Sequence, residues 1–306
     1  MGKTSNVRVL MASRAVRGAA AVLLGAAGLL STGAAAAQQK TFHLDRLEMP
    51  GAPDDGVVLF RPVTNQRTIF FGQLGIGYQL RPLRTSTVTS DQSTLARSSS
   101  TVIQDQFAVY GNAGFQILDR ATLALAFPWY PIQTGENPNY VGAGGIPVTG
   151  ANRTTVVQTG GPGAGDLRLD LRAVLARSAD RKTAFGAGVG VFFPSGTPAN
   201  FGGDDQVGGM FMLTGETQVK FLVLTANTGI HFRPRHAIND PNNDNGLGIG
   251  NEWRWAVGGF VPLKDGKYRV GATIFGQTGI ESHRILGDTF FTKRNTPIEF
   301  NIEGRM

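Results

Sequence analysis

The stretch Asp166-Leu167-Arg168-Leu169-Asp170-Leu171-Arg172 decides how the chain is read. Every second residue is leucine, and the positions between them alternate acid and base. A strand turns successive side chains to opposite faces. The segment therefore presents one apolar face and one fully charged face, whereas a helical period would scatter both kinds around an axis. Leucines against lipid, with Asp166, Arg168, Asp170 and Arg172 as a charge ladder in a polar lumen, is one reading. A soluble sheet with its charges in water would show the same alternation, so the neighbouring segments must decide.

Working outward, nine further segments alternate with period two: 68–79, 102–118, 121–130, 182–193, 207–218, 221–233, 247–263, 267–278 and 296–305. In the first, Phe70, Leu74, Ile76 and Tyr78 oppose Gln73, Gly75, Gly77 and Gln79. In 182–193, Phe185, Ala187, Val189 and Val191 oppose Gly186, Gly188 and Gly190. Inward glycine leaves room for a neighbour's long charged side chain. The chain holds 42 glycines in 306 residues, roughly twice the usual 7%, and 19 of them fall within these alternating segments.

The connections alternate in length. Those at 119–120, 178–181, 219–220 and 265–266 are short, and Asp265-Gly266 is a strong hairpin signal. Those at 80–101, 131–163, 194–206, 234–246 and 280–295 are long and rich in Gly, Asn, Asp, Ser, Thr and Pro. Short turns at one end and long loops at the other are the asymmetry of outer-membrane barrels. Many segments reach ten residues, the length a tilted spanning strand needs, whereas sandwich strands typically run to about 5–6. The expected fold is all-β: an antiparallel up-and-down transmembrane β-barrel of about ten strands.

The first 37 residues read as a secretory signal. Lys3, Arg8, Arg14 and Arg17 precede an apolar run from Gly18 to Leu30, and Ala35-x-Ala37 supplies a small-residue cleavage site. That run is shorter than the ~20 residues of a spanning helix. No later segment reaches 18 apolar residues, so a membrane form would have to be a closed barrel. Residues 38–67 read as a periplasmic lead-in with a short strand at 57–60, and residues 68–306 as the barrel, located in the cell outer membrane of a Gram-negative envelope. The sequence pI near 10 suggests nucleic acid. However, taking the four signal residues from the 29 basic ones leaves 25 against 22 acidic, a net +3. No basic patch for nucleic acid remains. With no cysteine, disulfides and Cys-ligated metals are excluded.

The sequence offers no catalytic set and no cofactor or metal site. His43 lies in the lead-in, His236 and His283 in loops, and His231 faces the expected lumen near its outer rim. Glu281-Ser282-His283 are adjacent on one loop, and no nucleophile elbow is present. The loop 240–246 has oxygen donors at alternate positions. It lacks the sixth-position glycine of a calcium loop, and Asn251 stands where the closing glutamate would be, so it reads as a surface loop. The glycine runs at 142–145 and 160–165 lack a P-loop lysine. The expectation is not an enzyme.

The residues expected to line the lumen are Asp166, Arg168, Asp170, Arg172, Glu216, Glu252, Arg254, Arg269, Glu299 and Glu303. Those expected to form an aromatic girdle at the membrane surface are Tyr78, Trp129, Tyr130, Phe193, Phe232 and Trp253.

The order of motifs resembles the N-terminal barrel of long OmpA-family proteins. The matching stretches are Phe42-His-Leu-Asp-Arg-Leu-Glu48, Gly165-Asp-Leu-Arg-Leu169, Phe193-Pro-Ser-Gly-Thr-Pro198, Ala226-Asn-Thr-Gly229 and Thr296-Pro-Ile-Glu299. The resemblance implies a signal, a lead-in and a non-catalytic barrel made by the barrel assembly machinery. It also implies a peptidoglycan-binding domain that this sequence does not show, so cell-wall tethering is not carried over. Nor does the sequence show the terminal aromatic of many such barrels. The expectation is a shortened relative, with twelve strands in complete ones. The function expected is structural, or that of a small-solute pore, with outer-membrane lipid as partner; no oligomeric state follows. The competing expectation is a secreted soluble β-protein that binds glycans or protein partners through its long loops.

Overall fold

Among the described residues, ten long strands follow one another around a single curled sheet. They are β1 (Ile69–Asp91), β2 (Thr94–Ile117), β3 (Ala121–Thr134), β4 (Leu167–Arg177), β5 (Thr183–Phe193), β6 (Gly208–Val219), β7 (Leu222–Phe232), β8 (Glu252–Leu263), β9 (Tyr268–Gly279) and β10 (Ile298–Arg305). The computed structural model describes residues 47–62, 68–91, 94–118, 120–135, 161–197, 201–204, 206–234, 236–237, 248–264, 268–280 and 298–305. All belong to one unit, Gln39–Met306. Each strand pairs antiparallel with its sequence neighbours, in the order β1 to β10. A two-residue bridge, Gly163–Ala164, adds to β3, and a small ribbon joins His236–Ala237 to Gly248–Ile249. The architecture is all-β, antiparallel and up-and-down, a half-barrel of about ten strands. Among the described residues β1 and β10 do not pair, so the expected closed ring is open between them.

Register explains why the alternation holds. Leu169 faces Val191, Asp170 faces Gly190, Leu171 faces Val189 and Arg172 faces Gly188. Apolar residues thus meet on the convex face, while charge meets glycine on the concave one. The concave glycines make space: a Cβ at Gly188 would lie 2.8 Å from Arg172 Cγ, and one at Gly190 2.9 Å from Asp170 Oδ1.

The convex face is continuous in character. Between the short turns and the level of Asp105, the outward positions of all ten strands carry no Asp, Glu, Lys or Arg among the described residues. Phe70, Leu74 and Ile76 on β1, Leu171 on β4, Val189 on β5 and Ile302 on β10 all stand exposed. Asp105 ends the belt, where the Tyr78 hydroxyl and Thr134 Oγ1 both donate to its carboxylate.

The short connections close tightly. Leu118, Arg181, Lys220 and Lys264, one in each, have φ of 52°, 59°, 54° and 48°. This is the left-handed region that closes such loops and normally favours glycine. Gln116 Nε2 donates to Leu118 O at 3.0 Å and Gln218 Nε2 to Lys220 O at 3.2 Å, so two of the turns are tied to the strand that enters them.

Three expectations about segments change. The loop expected at 80–101 is instead a hairpin, paired from Arg84↔Thr101 to Asp91↔Thr94 beyond irregularities at Leu80 and Leu83. Its Thr and Val content favours extended backbone, and a two-stranded ribbon can be polar on both faces. Likewise β3 runs on to Thr134. No strand forms at 57–60; the chain turns there, with Gly56 N donating to Leu59 O at 2.8 Å.

Candidate functional site

The concave face is occupied. Residues 47–62, expected as a lead-in outside the sheet, run along it and touch all ten strands. Met49 packs with Ala108, Tyr110 and Tyr130, and Ala52 packs with Phe71 and Ala124. Leu59 packs with Val223, Ala256 and Phe260, and Phe60 with Phe192, Met210 and Met212. Leu59 is fully buried and Phe60 nearly so; each such burial is worth about 1.5–3 kcal/mol. Pro62 reaches β5, where a Cβ at Gly186 would lie 3.2 Å from its Cβ.

Charged groups on the wall take the polar groups of the segment. Arg172 donates from both terminal nitrogens to Asp55, at 2.8 Å each. Asp55 also accepts from Ala52 N and Arg61 N at 3.0 and 2.8 Å, so one carboxylate folds the segment and fixes it to β4. Arg269 donates to Asp54 O and Asp55 O. Arg168 donates to Met49 O at 2.9 Å and to Asp170 at 2.9 Å. Glu48 pairs with Arg168 at 3.5 Å and with Arg254.

Arg61 forks onto Glu216, whose Oε2 also accepts from Thr225 Oγ1. Glu303 accepts from Val57 N. Asn227 takes both backbone groups of Phe60, its Oδ1 accepting from N at 2.9 Å and its Nδ2 donating to O at 2.8 Å. Arg172 lies 5.0 Å from the Phe60 ring centre, and Arg269 lies 4.7 Å from that of Phe260.

A second cluster sits toward the long-loop end. Arg233 forks onto Asp204 at 2.7 and 3.2 Å and lies 3.5 Å from Glu252. Glu252 also lies 3.5 Å from Arg254 and 3.9 Å from His231 Nδ1, beneath Phe192. Asp166 belongs to this end. It accepts from Gly196 N and Asp204 N, so it clamps the connection between β5 and β6 rather than joining the ladder.

Of the ten expected lumen residues, Asp166, Arg168, Asp170, Arg172, Glu216 and Glu303 are buried on the concave side. Glu252, Arg254, Arg269 and Glu299 are partly buried there, Glu299 on the edge strand β10. Of the six expected girdle aromatics, Tyr78, Trp129 and Phe232 are exposed on the convex face, while Phe193 and Trp253 are partly so. Tyr130 is a correction: it is fully buried on the concave side with Met49. Adjacent residues of a strand cannot share a face, and Trp129 takes the outward position.

Sequence reading missed Glu48, Asp55 and Arg61 as interior partners, and Asp204 and Arg233 as an ion pair. The available signal was complementarity, since an acidic segment ending in arginine precedes a sheet whose inward ladders are rich in arginine. His43, His283, the run 142–145, the loop 240–246 and Glu281-Ser282-His283 lie outside the described residues.

A small cavity of about 30 Å³ lies beside Met49, Tyr110 and Arg168, with room for water. No group of three or more His, Asp or Glu poised to hold a metal occurs among the described residues. The arrangement seats a segment against the concave wall with matched charges. No protein-family model matches the chain, and no curated protein does.

Proposed function

We propose that the protein is a Gram-negative outer-membrane β-barrel of structural type, related to OmpA-family barrels, whose interior is blocked by residues 47–62. One observation carries this reading: the uncharged convex belt. Soluble proteins rarely expose contiguous apolar patches beyond a few hundred Å², whereas here an apolar row faces outward on every strand. Strands such as β5, with 11 residues, match the ~9–11 that a tilted spanning strand needs. Charge on the inside and apolar side chains on the outside suit lipid as the surrounding solvent.

Lipid tolerates no unpaired sheet edge, so β1 and β10 must meet on insertion or be joined through further strands. The inserted segment already touches both edges, Ala52 packing on Phe71 and Val57 N bonding Glu303. Its partners on this reading are outer-membrane lipid and the barrel assembly machinery, and its role is mechanical rather than catalytic.

Fractionation with a gel assay tests it. Retention in the outer membrane until detergent is added, with migration that changes on boiling, is the expected result. Recovery in a soluble periplasmic or extracellular fraction would instead mark a secreted β-protein acting through its loops.

A further inference from the structure

We infer that residues 47–62 are a displaceable plug, and that the barrel behind them conducts small ions when they leave. The inference rests on the outer-membrane reading and goes beyond it by assigning a gated activity.

The first ground is how the segment is held. It adds no strand to the sheet. The wall grips it through side chains: Arg172 on Asp55, Glu216 on Arg61, Asn227 on Phe60 and Arg269 on the carbonyls of Asp54 and Asp55. Such grips can be released without unpairing any strand.

The second ground is the wall beneath. Its buried side chains include Gln106, Asn112, Gln116, Thr122, Thr225 and Gln277 beside the arginines and carboxylates. For a permanently dry core this is a poor choice, since well-packed apolar residues often serve as well as or better than buried ion pairs. The same wall suits a state in which water replaces the segment, because every one of these groups hydrates.

The third ground is room. Eight strands enclose an interior that side chains can fill, and ten enclose more. Here Gly186, Gly188, Gly190, Ala124, Ala184 and Gly258 keep the wall low. The segment fills the space they leave, so its departure opens a polar passage lined by Arg168, Arg172, Glu216 and Arg269.

Planar-bilayer recording tests the inference. Arg172→Gln with Glu216→Gln removes two grips from the wall and leaves the segment's own bonds intact. Open probability should rise roughly tenfold or more over the native chain, the change that about 1.4 kcal/mol of lost grip produces. The chain has no cysteine, so a lock can be added cleanly. A Cβ at Gly51 would lie 3.4 Å from that of Asn112, close to disulfide separation. Gly51→Cys with Asn112→Cys should silence the double variant when oxidised and restore current when reduced.

A heat-modifiable double variant that stays silent under reduction, or conducts equally when locked, overturns the plug and leaves the outer-membrane reading standing. A native chain that is soluble and not heat-modifiable overturns both. If the double variant does not fold, Ala124→Cys in the otherwise native chain decides. Ala124 is 1% exposed beneath Ala52. Labelling by a water-soluble thiol reagent in the folded barrel supports displacement, and full protection over hours overturns it.

Discussion

Asp55 and Arg172 meet through two parallel hydrogen bonds of 2.8 Å, across 117 residues of sequence and out of water. The fork geometry of guanidinium and carboxylate makes this the strong form of such a pair. Removing one partner strands the other charge in the interior, at about 3–5 kcal/mol. Asp55→Ala should therefore lower unfolding free energy in detergent by that order, because Ala52 N and Arg61 N lose their acceptor as well. Combining it with Arg172→Met should recover part of the loss. Denaturant titration of the two single variants and the double checks this, and strictly additive losses would refute the pairing.

Asn227 and Phe60 make another grip. One amide side chain satisfies both backbone groups of Phe60, much as a neighbouring strand would. Asn227→Leu keeps the branched shape in a larger side chain and leaves a buried N–H and C=O unpaired, each costing about 1–3 kcal/mol. The expected signature is local: faster amide exchange at Phe60 and Leu59, with the ladder between β6 and β7 still protected. Uniform loss of protection across the sheet would count against an inserted segment held separately from the wall.

The sheet was legible because its rule is local. Alternation in 166–172 or 182–193 assigns faces from adjacent residues, and turn chemistry assigns the ends. Even Tyr130 could have been placed correctly from its neighbour Trp129. The hairpin at 80–101 was not legible, because its polar Ser and Thr runs carry no apolar alternation and so read as loop. The inserted segment was harder still. Its Pro and Gly content resembles a linker, it has no period, and its partners, such as Glu303 for Val57 N, lie up to 246 residues away. Nothing in 47–62 alone announces an interior position; only its charges, read against arginines far along the chain, carry that information.

The convex belt predicts a sharp asymmetry between faces. Leu171 points outward at 50% exposure, while its neighbour Arg172 points in. In water, Leu171→Arg would be almost neutral, as exposed substitutions usually are. In a bilayer, an outward arginine near the middle of a spanning strand costs about 2–4 kcal/mol. Folding of Leu171→Arg into phospholipid vesicles should be impaired by that order. Equal stability of variant and native chain in vesicles would remove lipid from the convex face.

Gly188 tests whether the inward glycines are made for the arginines. A Cβ there would lie 2.8 Å from Arg172 Cγ and 3.6 Å from its Cδ. Even alanine pushes on the stem that carries the guanidinium to Asp55. Gly188→Ala should cost about 1–3 kcal/mol, the usual penalty for overfilling a packed interior. Gly209, on the outward row of β6, has only Gly190 O at 3.9 Å near its added Cβ, so Gly209→Ala should be close to neutral. In an Arg172→Ala background the obstructing Cγ is gone. The Gly188→Ala penalty should then largely vanish, a coupling that a double-mutant cycle reads directly. If the penalty persists unchanged in that background, the glycine is answering the close approach of the β4 backbone, with Leu171 O 3.5 Å from the added Cβ, and not the arginine.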